Sequence, residues 1–233
     1  MTVKVEKKKA KLGVFILFVL AVTVVFFTVA AKEPKEEPVT FTERESAGTP
    51  LTKDFFYVTG FSFPRNHEID HIMLHFTSAV MVNFDDPYVY EENKQIFLGN
   101  EVSTHYIIDR EGVVYQWIPE SRAAWHAGKG QWREAKYTDS MNFYSIGIEL
   151  MAIGSEEEMG IYMDSETYGE IDKGDIGYTE AQYKSLHALI DDIVAFYPEI
   201  EKDREHILGH DQYSKTKVDP GELFDWTKIG LEA

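Results

Sequence analysis

Tyr144-Ser145-Ile146-Gly147-Ile148-Glu149-Leu150-Met151 alternates with a period of two. A strand over these residues puts Ile146, Ile148 and Leu150 on one face and Glu149 on the other. The sequence on either side is built from similar units. Upstream, Asp70-His71-Ile72-Met73-Leu74-His75 reads as a strand that ends in a histidine. Thr104–Ile108 and Val113–Trp117 are β-rich and flank Asp109-Arg110-Glu111-Gly112, the pattern of a hairpin. Asp86-Pro87 reads as a helix N-terminus, with proline at the first helical position and the helix running to about Leu98.

Downstream, Thr179-Glu180-Ala181-Gln182 forms a capping box. It opens a helix whose Leu186, Leu189, Ile190, Ile193, Val194 and Tyr197 recur at three- and four-residue spacing, and Pro198 stops it. His206–Gly209 is a short extended piece before a loop that reaches Pro220-Gly221. Gly154 to Gly177 is acidic, Gly-rich and aperiodic and reads as a surface loop. Its acidic residues do not match an EF-hand loop. Helices alternate with strands and a hairpin is present. The expected fold class is therefore α/β, a single domain with a mixed central β-sheet flanked by helices.

The chain has 233 residues, 23 basic against 40 acidic, for a net charge of −17, and no cysteine. The acidity argues against nucleic acid as a partner, because phosphate neutralisation needs lysine and arginine. The absence of cysteine removes disulfides, thiolate metal sites and a cysteine nucleophile. Residues 1–11 hold Lys4, Lys7, Lys8, Lys9 and Lys11 against Glu6, and Leu12 to Ala31 then run twenty residues without a charge. At about 1.5 Å per residue that run spans about 30 Å, the thickness of a hydrocarbon core. The lysines would stay inside and the bulk of the chain would cross. The run is either a retained single-pass membrane anchor or a signal peptide cleaved near Ala31. The rest of the chain then works at the outer face of the membrane or is secreted. The expected organisation is a basic segment 1–11, an apolar segment 12–31, a flexible stalk 32–50 and a folded domain 51–233.

The residues that carry chemistry are histidines and carboxylates near element ends: His75, Glu149, His210 and Asp219. Two imidazoles and a carboxylate suit Zn²⁺ and leave one tetrahedral position open, as a catalytic site requires. Eight histidines allow many such triples. Other readings remain open from the residues alone: Asp219 capping the Pro220-Gly221 turn, or Glu149 pairing structurally with Lys217.

Five segments together resemble one family. His71–Ala79, Ser103–Gly112, Arg122-Ala123-Ala124-Trp125-His126-Ala127-Gly128, Ser145-Ile146-Gly147-Ile148-Glu149-Leu150, and the C-terminal run through Gly209-His210, Lys217-Val218-Asp219-Pro220-Gly221 and Phe224-Asp225-Trp226 are similar, in order, to the motifs of the type 2 N-acetylmuramoyl-L-alanine amidases. The resemblance implies one zinc ion held by His75, His210 and Asp219. It implies Glu149 as the general base and Lys217 as the group that stabilises the oxyanion, with Lys215 as the neighbouring alternative. Trp125 and His126 would line the substrate groove, and Thr104 and His105 are further candidates there, His105 also reading as a core or supporting histidine. Some relatives place a catalytic tyrosine at the position of Thr104 and a cysteine at the third ligand. This chain has threonine and Asp219, with Glu149 as in the branch that uses glutamate.

The implied reaction is zinc-dependent hydrolysis of the amide between N-acetylmuramic acid and L-alanine, with peptidoglycan or a muropeptide as partner. Two alternatives stand beside it: a muropeptide-binding module that does not cut, and a zinc amidase for anhydromuropeptides or lipid-linked precursors.

Overall fold

The computed structural model describes residues 48–55 and 60–232. The basic segment, the apolar segment and nearly all of the stalk lie outside the described residues. Among the described residues no helix is long and apolar enough to cross a membrane.

In chain order the strands are β1 (Leu51–Lys53), β2 (Ser62–Pro64), β3 (His71–Thr77), β4 (Tyr106–Ile108), β5 (Val114–Gln116), β6 (Arg122–Ala124), β7 (Ser145–Met151) and β8 (Ile207–Gly209). The helices are α1 (Tyr90–Gly99), α2 (Glu156–Met159), α3 (Ser165–Gly169), α4 (Glu180–Phe196) and α5 (His210–Tyr213). The main sheet runs β1-β5-β4-β7-β3-β8, and β2 pairs with β6 in a separate ribbon. Strands β4, β7, β3 and β8 are parallel, while β4 and β5 form the expected antiparallel hairpin. The domain is thus α/β with a mixed central sheet.

Alternation along β7 and β3 divides the molecule. Ile146, Ile148 and Leu150, with Ile72 and Leu74, face α4 and bury against Leu186, Leu189, Ile190 and Ile193. Each of these four helix side chains is fully buried, worth roughly 1.5–3 kcal/mol apiece relative to exposure. The capping box forms as expected: Gln182 N–H donates to Thr179 Oγ1 and Thr179 N–H to Gln182 Oε1. The Gln182 amide also donates to the carbonyls of Ile108 and Met151, tying the helix start to β4 and β7.

Three expectations about the elements need correction. Strand β3 runs two residues past His75, because parallel pairing with β7 continues to Thr77↔Met151. Helix α1 starts at Tyr90 rather than at Pro87. The Pro87 carbonyl is instead occupied by the Ala79 N–H and the Asn93 side chain, which hold it in the preceding turn. Gly154–Gly177 is not a plain loop. It carries α2 and α3, and Met159, Met163 and Ile171 bury in a small cluster with Val80 and Ile153. Arg110 donates to the carbonyls of Gly174 and Gly177, and Glu158 accepts from Glu222 N–H at 2.6 Å, docking the segment to the sheet and to the loop after Asp219.

Candidate metal centre and active site

Register decides what meets at the C-terminal ends of the parallel strands. His75 on β3 lies beside Glu149 on β7, and Leu74 beside Gly209, the last residue of β8. The chain turns into α5 immediately after Gly209, which delivers His210 to the same corner. Asp219 returns through the loop after α5, held by Asp211 N–H donating to the Asp219 carbonyl, and its peptide bond to Pro220 is cis.

Three donor atoms converge there. His75 Nδ1 and His210 Nδ1 are 3.0 Å apart, and they lie 2.7 and 3.0 Å from Asp219 Oδ2. Both imidazoles are almost wholly buried. Burial, then the neighbouring His210, pushes the His75 imidazole down to about 4, so it is neutral. Burial would raise the Asp219 carboxyl, but the two adjacent imidazoles outweigh it and hold the carboxyl well below the usual range.

Two imidazoles and a carboxylate are a hard-to-borderline donor set suited to Zn²⁺. Hydrogen-bond bookkeeping supports the fit. His210 Nε2 lies 2.9 Å from the Ala127 carbonyl, an acceptor only, so Nε2 carries the proton and Nδ1 presents a lone pair. In that tautomer Nδ1 offers Asp219 no proton, so a cation bound between them would take the place of the hydrogen bonds that hold Asp219 in the metal-free site. The edges of 2.7–3.0 Å are slightly short of the roughly 3.3 Å expected between tetrahedral ligands 2.0–2.1 Å from zinc.

The site floors a cleft of about 710 Å³. Glu149 is buried beside it, and its Oε2 has no hydrogen-bond partner among the described residues. Burial, and then the Asp219 charge, pushes the Glu149 carboxyl well above its ordinary range, with Lys217 opposing. Lys217 lines the same cleft, whereas Lys215 lines a separate depression together with Tyr213.

Of the four groove candidates, Trp125 and His126 line the cleft. Trp125 packs against Phe63, with ring centroids 5.0 Å apart. Thr104 is a correction, and of the two readings of His105 the structure takes the core one. Both are fully buried and neither reaches the cleft. Thr104 Oγ1 donates to the Gly147 carbonyl, and Gly147 N–H donates to His105 Nδ1. These two side chains lace the chain just before β4 to β7, and His105 Nε2 meets the Arg65 guanidinium and the Arg122 carbonyl.

Sequence reasoning missed several participants. Arg65 is partly buried and donates to the carbonyls of Glu120, Arg122, Phe143 and Ser145, gathering the supports of the site. Nothing in its local sequence signals this. Met81, Val82, Ile161 and Tyr162 form an apolar lip on the cleft, with Val82 and Ile161 about two-thirds exposed. The acidic segment therefore borders the groove, through Met159, Ile161 and Tyr162.

Comparison with known proteins agrees with this arrangement. Residues 65–222 match the family Amidase_2, described as N-acetylmuramoyl-L-alanine amidase. The chain is 31% identical over 178 residues to the 1,6-anhydro-N-acetylmuramyl-L-alanine amidase AmpD of Haemophilus influenzae, covering 71% of this chain and 83% of that protein. Its fold superposes on a crystal structure of AmpD with a TM-score of 0.57 at 24% identity, covering 82% of this chain and 98% of the other. It also superposes on AmiD of E. coli, solved with the substrate anhydro-N-acetylmuramic acid-L-Ala-D-gamma-Glu-L-Lys. There the TM-score is 0.53 at 27% identity, over 73% of this chain and 60% of AmiD.

Proposed function

The chain belongs to the N-acetylmuramoyl-L-alanine amidase family, and from that premise we propose that it is a zinc-dependent hydrolase cutting the bond between the lactyl carbonyl of N-acetylmuramic acid and the amine of L-alanine. The observation that carries this is the convergence of His75 Nδ1, His210 Nδ1 and Asp219 Oδ2 in a cleft that also holds Glu149 and Lys217. Those three atoms would hold the ion. When bound, zinc supplies Lewis acidity and lowers the pKa of water to about 7.

The chain's own groups do the rest. In the metal-free protein burial keeps the Glu149 carboxyl protonated, with Lys217 opposing. A cation held by His75, His210 and Asp219 would add to the Lys217 charge and favour the carboxylate, which would then take a proton from the attacking water and return one to the departing alanine amine. The water oxygen bonds to the lactyl carbon, the C–N bond breaks, and the products are a lactyl carboxylate and a free stem peptide. Lys217 places positive charge in the cleft, where the carbonyl oxygen gains negative charge. Low-dielectric walls, including Trp125 and the Met81–Val82 lip, strengthen these interactions.

The lysine block and uncharged run at the N-terminus support action outside the cytoplasmic membrane on peptidoglycan. The substrate named in the AmiD complex and the name of AmpD support a second arm, soluble anhydromuropeptides. The test incubates full-length protein with purified sacculi and, separately, with an anhydromuramoyl peptide, before and after chelation. Free stem peptides that vanish on chelation and return with zinc support the proposal, and the substrate that yields them faster assigns the arm. A zinc-loaded protein that releases no stem peptide from either would overturn it.

A further inference from the structure

The zinc reading above leaves one imidazole of the cleft without a task. His126 is buried against the back of the site, with Nδ1 3.0 Å from His75 Nε2 and Nε2 3.2 Å from Ser145 Oγ. Its seat is built. Gly147 lies directly beneath the ring, and a Cβ there would come within 2.5 Å of His126 Cγ. Asn142 Oδ1 accepts from both His126 N–H and Ala127 N–H, at 3.0 and 2.7 Å, which fixes the backbone of this turn.

The protons in this chain of contacts are determined in sequence. Ser145 has one hydroxyl proton, and its shorter contact is with the Met141 carbonyl, at 2.7 Å. With that proton committed, Ser145 Oγ accepts from His126 Nε2–H. His126 Nδ1 is then an acceptor, so His75 Nε2–H donates to it. That leaves the lone pair of His75 on Nδ1, the atom that faces His210 and Asp219. The same turn sets the other histidine, through the Ala127 carbonyl that accepts from His210 Nε2–H.

We infer that His126 is a positioning residue: as an acceptor oriented by Ser145 and seated on Gly147, it holds His75 in the tautomer and ring orientation that present Nδ1 to the metal. The turn Trp125–Gly128 thereby supports both histidine ligands, one by a side chain and one by a carbonyl. Outer partners of this kind typically change metal affinity 10–100-fold when removed. The inference rests on the zinc reading of the site and says which residues make its ligands ready.

The experiment measures zinc dissociation constants by competition with a chromophoric chelator, using the full-length protein and three variants. His126→Leu fills the space but cannot accept, and is expected to weaken zinc about 10–100-fold. His126→Asn places an amide oxygen near the former Nδ1 and is expected to recover most of that loss. Ser145→Ala leaves the histidine in place but frees its orientation, and is expected to weaken zinc severalfold. The absorption bands of the Co²⁺-substituted protein give a second readout, expected to shift in His126→Leu and to return in His126→Asn.

A purely packing role predicts the reverse order at position 126. Affinity in a folded His126→Leu protein within twofold of wild type, or His126→Asn no tighter than His126→Leu, would overturn the inference while leaving the zinc reading intact. If both of these variants fail to fold, unchanged affinity in Ser145→Ala would overturn it. A wild-type protein that binds no zinc would overturn the zinc reading and this inference with it.

Discussion

Replacing Glu149 by glutamine is expected to make the metal-free protein more stable and the enzyme much slower. Glu149 is only 7% exposed, and its Oε2 has no hydrogen-bond partner among the described residues. Burial and the Asp219 charge push its carboxyl well above its ordinary value of 4.5. The folded state therefore keeps a proton that the unfolded chain has already released. The stability contributed by this group is complete below pH 4.5 and is lost as pH rises toward the folded value. Within that window the loss is about 1.4 kcal/mol per pH unit.

Glutamine has the same shape and no titration. The stability gap between the Glu149→Gln variant and wild type should therefore widen by up to that slope with each pH unit above 4.5. Urea unfolding followed by tryptophan fluorescence, in chelator at pH 5, 6 and 7, measures the gap directly. Loss of the general base should lower kcat by about 10²–10⁴. A gap that does not change with pH, or a wild type more stable than the variant at pH 7, would refute this reasoning.

Three further outcomes follow from the cleft and its supports. Lys217→Leu should fold normally, since Lys217 is exposed, and should lower kcat about 10²–10³ with little change in KM; a drop confined to KM would move Lys217 to substrate binding. Ile161→Ser combined with Tyr162→Ser should leave stability within about 0.5 kcal/mol but alter the ratio of kcat/KM between substrates with different stem peptides; an unchanged ratio would remove the acidic segment from substrate choice. Burial, aided by the Arg65 charge, pushes the His105 imidazole down to about 3. It stays neutral in the fold while the unfolded chain protonates near 6.5, so stability falls as pH drops through that interval. The loss between pH 7 and pH 5 should be about 2 kcal/mol, and the pH slope should flatten in His105→Gln.

The parts of this fold legible in the sequence are those with a strict period. The β7 alternation and the α4 stripe with its capping box specify their own geometry, and they form the two walls of the main core. The five ordered motifs placed His75, Glu149, His210, Lys217 and Asp219 in one site, and the structure brings all five into one cleft. Three-residue strands such as β1, β2 and β6 are too short to show a period. The helices of the 154–177 segment were hidden for a related reason: Met159, Met163 and Ile171 are sparse along the chain and meet only in the folded cluster.

Thr104 was assigned to the groove because a motif gives order along the chain but not where a side chain points; its hydroxyl turns to the Gly147 carbonyl instead. His126 illustrates the converse. Its nearness to the site followed from the motif, but its contact with His75 depends on Gly147 lacking a side chain.

The most direct test of the central claim is hydrolysis of a muramoyl peptide by the zinc-loaded full-length protein in ¹⁸O-labelled water, with both products weighed by mass spectrometry. The account predicts one ¹⁸O in the lactyl carboxylate of the muramic acid product and none in a stem peptide that begins with a free L-alanine amine. Label in the peptide, cleavage at another bond, or no product at all would contradict it.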